Sequence, residues 1–150
     1  MGENTRHFLN LQDRLLSISQ LRQDIRFDKY QAYGEGTVQV SATPEQIIWS
    51  EQGFWKPPTG KKIPFTNTYY WKSLSNEKME IGHLRLGKDQ PVKLVEIYLT
   101  ETENKWKSLS PHLCGEDTYA AEVKLLERSM LLCWDIRGPI KRQVLRYTYF

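Results

Sequence analysis

Residues 118–150 read TYAAEVKLLERSMLLCWDIRGPIKRQVLRYTYF. Three short strand-like runs stand in this stretch: Tyr119 to Leu126, Met130 to Ile136 and Gln143 to Tyr149. Glu127-Arg128-Ser129 breaks the first from the second, and Gly138-Pro139 the second from the third. Pro presets φ and Gly admits positive φ, so the second break is a tight, rigid turn. Strand, turn, strand, turn, strand is a meander, and it decides the fold class.

The same rhythm runs upstream. Gly34 to Val40, Gln46 to Glu51, Thr66 to Trp71, Met79 to Leu84 and Val92 to Leu99 read as strands, with turn signals at Thr43-Pro44-Glu45, Ser75-Asn76 and Gly87-Lys88-Asp89. Gly34 and Gly36 share a face with Val38 and Val40. Glycine inside a strand marks a sharp bend or a close backbone approach, as at a barrel corner. In Gln20 to Phe27, Leu21, Ile25 and Phe27 fall on one face at period two, with Gln23 an exception. Gly53 to Lys62 holds two glycines and two prolines and reads as a loop carrying Phe54 and Trp55. The longest loop runs from about Thr100 to Glu116; loops of that length in a compact domain are often functional. Phe8, Leu11, Leu15 and Ile18 recur at spacings of three and four, which predicts a short amphipathic helix over residues 5–18 after a polar tail at 1–4.

About eight or nine short strands at roughly ten-residue spacing predict an all-β fold, an antiparallel barrel or sandwich. An up-and-down barrel closes its own edges and suits a nearest-neighbour meander. No helical crossover is legible, which excludes a Rossmann-like sheet. The 150 residues form one domain, with the barrel over residues 20–150.

Composition excludes some partners. Net charge is +3 and the basic residues are scattered, with a local group only at Arg137, Lys141, Arg142 and Arg146, so nucleic acid is not an expected partner. Two cysteines make no disulfide framework, and no apolar run spans a bilayer. The expected setting is the cytoplasm, with thiols reduced. Eight Tyr and five Trp against five Phe suit half-buried strand faces or a lined pocket.

Polar and aromatic residues crowd the strand ends of the C-terminal region. The blocks are His83-Leu84-Arg85-x-Gly87 with Pro91-Val92-x-Leu94, Pro111-His112-x-Cys114-x-x-Asp117-x-Tyr119, and Trp134-x-Ile136-x-Gly138-Pro139-x-Lys141. They resemble a family of small, mostly bacterial proteins catalogued as domain of unknown function 6314. Gly34-x-Gly36, Glu51-x-Gly53 and Tyr69-Tyr70-Trp71 suit the same pattern. The resemblance implies a calycin- or lipocalin-like barrel of about eight to ten strands with a cavity, and no activity. One departure from the calycin pattern is visible: Ser17-Ile18-Ser19-Gln20 stands where a Gly-x-Trp pair opens the first strand of such barrels.

His112, Cys114 and Asp117 could form a thiol or metal site, but one His-x-Cys pair falls short of the four ligands zinc takes, so no metal is expected. The plainer reading makes Cys114 and Asp117 structural, the carboxylate accepting backbone N–H bonds in a turn. Gly138, Pro139 and Lys141 read likewise as turn structure. His83 and Arg85 share a strand face, and the flanking pattern leaves open whether it is inward. Tyr69, Tyr70, Trp71, Trp134, Tyr147 and Tyr149 line either a pocket or the core. The leading expectation is a small-molecule-binding barrel for a partly apolar ligand in which an anionic group is allowed, with His83, Arg85, His112, Tyr119, Trp134 and Arg146 as contacts. A second is an enzyme or a chromophore-handling protein similar to the bilin lyases, using His112 as acid or base with Asp117 orienting it. A third is an adaptor docking a protein on an apolar patch at Phe54, Trp55, Trp106 and Leu109. No cofactor is named by any motif.

Overall fold

The computed structural model describes residues 11–28, 30–58, 60–102, 104–109 and 112–150, without the side chains of His112 and Cys114. A short helix, α1 (residues 11–17), precedes eleven strands. These are β1 (Gln20–Phe27), β2 (Gln31–Ala42), β3 (Ile47–Lys56), β4 (Ile63–Ser75), β5 (Lys78–His83), β6 (Val92–Leu99), β7 (Lys105–Lys107), β8 (His112–Cys114), β9 (Asp117–Leu125), β10 (Met130–Arg137) and β11 (Arg142–Tyr149).

The strands run antiparallel in the order β10-β11-β1-β2-β3-β4-β5-β6-β7-β9, and β9 pairs back onto β10. Ten strands therefore close a ring, and β8 hangs outside it as a hairpin arm on β9. The seam is β1 on β11, Leu21 opposite Tyr149 through Phe27 opposite Gln143. The all-β antiparallel barrel expected from spacing is the fold.

Side chains alternate in and out along each strand, as the pleat requires. In β10, Met130, Leu132, Trp134 and Ile136 are buried while Leu131 and Arg137 are exposed. Gly36 and Gly53 face each other between β2 and β3. A Cβ on Gly36 would stand 2.3 Å from the Gln52 carbonyl oxygen, and one on Gly53 would stand 2.2 Å from that of Glu35. No side chain fits there, so the two glycines make the barrel corner. On the outer wall the Tyr70 ring lies over Gly82, and its hydroxyl donates to Glu80 at 2.7 Å.

One end of the barrel is filled. Leu11 and Leu15 of α1 pack on Trp49, Trp71, Tyr149 and their neighbours, all almost without solvent contact. The Trp49 indole N–H donates to the Leu15 carbonyl at 2.8 Å, which satisfies a carbonyl in the helix's last turn. The Arg14 guanidinium donates to the Ser129 and Glu127 carbonyls in the β9–β10 turn and ties the helix to the rim.

Four expectations change. Phe54 and Trp55 belong to β3, because the glycine at position 53 is there to admit the neighbouring backbone and does not end the strand. The stretch from Thr100 to Glu116 contains β7 and β8, too short to show an alternation. Gln23 is no exception on its face but an inward residue, 5 % exposed. Trp106 is core, 2 % exposed, so it joins no surface patch with the exposed Phe54 and Leu109. The helix is described from residue 11; its expected start at 5 and the tail at 1–4 lie outside the described residues.

Candidate functional site

Among the described residues the opposite end of the barrel is open. A cavity of about 570 Å³ enters there between β4, β5, β9, β10 and β11. Its lining follows from the strand phase that fills the other end, carried a few residues further. β4 contributes Thr66, Asn67, Thr68 and Tyr69; β5 and the turn after it contribute His83, Leu84 and Arg85; β6 contributes Leu94. Asp117, Tyr119, Trp134, Ile136, Gln143, Leu145 and Tyr147 complete the wall.

His83 sits opposite Tyr69 on the inward face, which resolves the question the flanking pattern left open. Its Nδ1 accepts the Arg85 backbone N–H at 3.2 Å. Burial, and secondarily the Arg85 guanidinium, hold the imidazole below its ordinary range. Arg85 lies just past the strand, exposed, at the rim, and makes no ion pair with a described residue. Across the mouth, Tyr119 meets Trp134 edge to face, with ring centroids 6.3 Å apart at 85°. The Trp134 indole N–H is buried and has no acceptor among the described residues.

A polar group lies buried behind the cavity. Glu51 is 2 % exposed, on the inward face of β3. Tyr149 donates its hydroxyl to Glu51 Oε2 at 2.6 Å, and Asn67 donates its amide to Oε1 at 3.3 Å. No cation pairs with Glu51 among the described residues. Burial pushes its carboxyl up to about 7, against the downward pull of the two donors. Tyr69 and Tyr147 are inward residues of the neighbouring wall, and burial raises both phenols above their ordinary value. Burial also raises Tyr149 strongly, so the buried group behind the cavity is a set of neutral phenols around one carboxyl near the edge of ionisation.

The structure brings His83, Arg85, Tyr119 and Trp134 to one cavity. It separates Arg146, which lies on the outer wall opposite Cys133 and lines a second pocket, of about 530 Å³, there. Strand phase explains this: Tyr147 and Leu145 point in, so Arg146 points out. The His112 side chain lies outside the described residues. Cys133 is a free thiol, raised by burial against the opposing pull of the Arg146 charge. Asp117 stands at the cavity rim, and no hydrogen bond joins its carboxylate to a backbone N–H among the described residues. Instead Oδ1 occupies the space beside Gly138, 2.5 Å from where a Cβ would be. Gly138 thus makes room for a carboxylate; its φ is not positive, so the turn, closed by the Gly138 N–H donating to the Lys141 carbonyl at 2.9 Å, does not use the freedom expected of it. The described residues hold no cluster of His, Cys, Asp and Glu able to bind a metal ion. Sequence reading missed Glu51 and Asn67; the one signal was that Glu51 shares a face with Ile47 and Trp49.

The chain belongs to the family of unknown function DUF6314, whose model matches residues 17–150. No curated protein matches the sequence. Among solved structures it is similar to a redesigned beta barrel, mFAP1, bound to DFHBI, at 9 % identity and a TM-score of 0.42, covering 91 % of this chain and 95 % of that one. It is also similar to EF1p2_mFAP2b bound to DFHBI, at 9 % identity and a TM-score of 0.44, covering 91 % and 94 %.

Proposed function

We propose that this member of DUF6314 is a small-molecule-binding barrel, and that its open end takes a flat, partly apolar ligand bearing an anionic group. The observation that carries the reading is the division of the cavity wall. Tyr119, Trp134, Ile136 and Leu145 offer apolar and aromatic surface on one side; His83 and Arg85 offer donors and positive charge on the other. Pockets built this way hold an apolar body and orient it with few polar groups. A volume of about 570 Å³ falls inside the usual range for such ligands. The buried Trp134 N–H, with no acceptor among the described residues, is a donor that a ligand oxygen would satisfy. Of the expected contacts, His83, Arg85, Tyr119 and Trp134 line this cavity, and Arg146 lines the pocket on the outer wall.

The test uses two probes of one shape. Anilinonaphthalene sulfonate carries a sulfonate, and N-phenyl-1-naphthylamine is the same ring system without it. Both should bind and quench Trp134 fluorescence, with the sulfonate the tighter. Arg85→Gln should weaken the sulfonate by about tenfold, near 1.4 kcal/mol, and leave the neutral probe within about twofold. Equal loss for both probes would remove the anionic part of the reading, and no binding of either would remove all of it.

A further inference from the structure

We propose that binding of an anionic ligand in this cavity is coupled to proton uptake by Glu51, so that the barrel holds such ligands more tightly in acid than in alkali. The inference rests on the cavity being a ligand site and adds its regulation.

The geometry is the ground for it. Glu51 is an acid sealed inside the barrel with two hydrogen-bond donors and no cation among the described residues. Of those donors, Asn67 also lines the cavity, as do Tyr69 and Tyr147. An anion held in the cavity adds negative charge that acts on the carboxyl across Asn67 and Tyr69, through an interior that screens it poorly. That charge disfavours the ionised form. By linkage the reverse holds: ionising Glu51 weakens the anion. The relevant window lies around neutrality, since burial already brings Glu51 to about 7.

The groups that face Glu51 can be sorted by their effect. Tyr149 and Tyr147 from β11 and Tyr69 and Asn67 from β4 stay neutral throughout; Gln23 from β1 and Val38 from β2 carry no charge. At the rim Arg85 and Asp117 are charged. His83 titrates, and its protonated form would also favour an anion in acid, so it must be separated from Glu51.

The experiment measures affinity for anilinonaphthalene sulfonate and for N-phenyl-1-naphthylamine across about pH 5.5 to 8.5 in the wild type, Glu51→Gln and His83→Gln, chosen to bracket both groups. The sulfonate should weaken by roughly five- to tenfold as pH rises through neutrality, and the neutral probe by less. Glu51→Gln should flatten most of that slope, and His83→Gln should keep it. Calorimetry in buffers of different ionisation enthalpy should show net proton uptake on binding of the sulfonate. Carbon-13 NMR of the wild-type carboxyls gives a readout that survives if Glu51→Gln fails to fold: the Glu51 titration should move upward when the sulfonate is bound. A slope that survives Glu51→Gln and vanishes in His83→Gln overturns the inference, as does an unmoved Glu51 titration. If both probes bind and the sulfonate shows no slope, only the proton coupling falls; if neither binds, the ligand site falls with it.

Discussion

The two ends of the barrel are built by the same strands and differ in what those strands point inward. At the closed end β4 presents Trp71, β5 Met79 and Ile81, β9 Val123 and Leu125, and β10 Met130 and Leu132, all buried in one cluster. A few residues along, the same four strands present Asn67 and Tyr69, His83, Asp117 and Tyr119, and Trp134 and Ile136 to the cavity. The phase is unchanged, so the difference is composition alone. Ten strands enclose a lumen wide enough that side chains do not fill it without help. The closed end recruits α1 as a plug, and the open end has none among the described residues. Glu51 stands on the border between the two, which is why it is buried like the one and polar like the other.

The largest effect should come from breaking the closed end. Trp49→Ala removes a fully buried indole and its bond to the helix carbonyl, and should cost about 3–5 kcal/mol in urea denaturation. Trp49→Phe, which keeps most of the volume, separates the packing loss from the bond, and the bond should account for about 1 kcal/mol. A loss no larger than that from Trp49→Ala would mean the plug does not hold that end together.

The border should respond to pH. Glu51 has a folded-state value raised to about 7 from an ordinary 4.5. Between those values the folded chain binds more protons than the unfolded, so stability falls as pH rises through that window and then levels off. The total is on the order of 3 kcal/mol. Glu51→Gln should remove this part of the pH profile. A wild-type profile that is flat or rising between about pH 5 and 7 would place the carboxyl among better-solvated groups.

The open end should be thermodynamically quiet. Asp117→Ala removes a rim carboxylate with no bond to backbone among the described residues, and should shift stability by less than about 0.5 kcal/mol. A loss near 1 kcal/mol would restore the turn-stabilising role read from the sequence.

Much of the frame was legible because hairpin turns and alternation are local signals. The strands after Thr66, the short helix and the meander followed from spacing. What failed failed for non-local reasons. Gly53 looked like a stop because its need for a missing Cβ is set by Gly36 across the ladder. Trp106 looked exposed because a three-residue strand shows no alternation. The cavity wall was half legible: His83, Arg85, Tyr119 and Trp134 stood in distinctive blocks at strand ends. Arg146, expected among the contacts with no face assigned to it, lies one step of the pleat from Leu145 and Tyr147 and so on the outer wall. Glu51 was read as an ordinary strand residue, since a lone acid beside turn-rich sequence gives no sign of being enclosed.

The seam of β1 on β11 has a consequence for how the molecule is made. Pairings elsewhere in the ring join strands that follow one another in the chain, or skip only the short β8 arm, and can form as the chain lengthens. The seam joins residues 21–27 to residues 143–149, so its loop is nearly the whole polypeptide. Until β11 has left the ribosome, β1 and β10 are two bare sheet edges with unpaired backbone donors and acceptors. Ring closure is therefore the late, slow event of folding. In a chain still being synthesised, the danger of edge-to-edge association is greatest just before that last strand emerges.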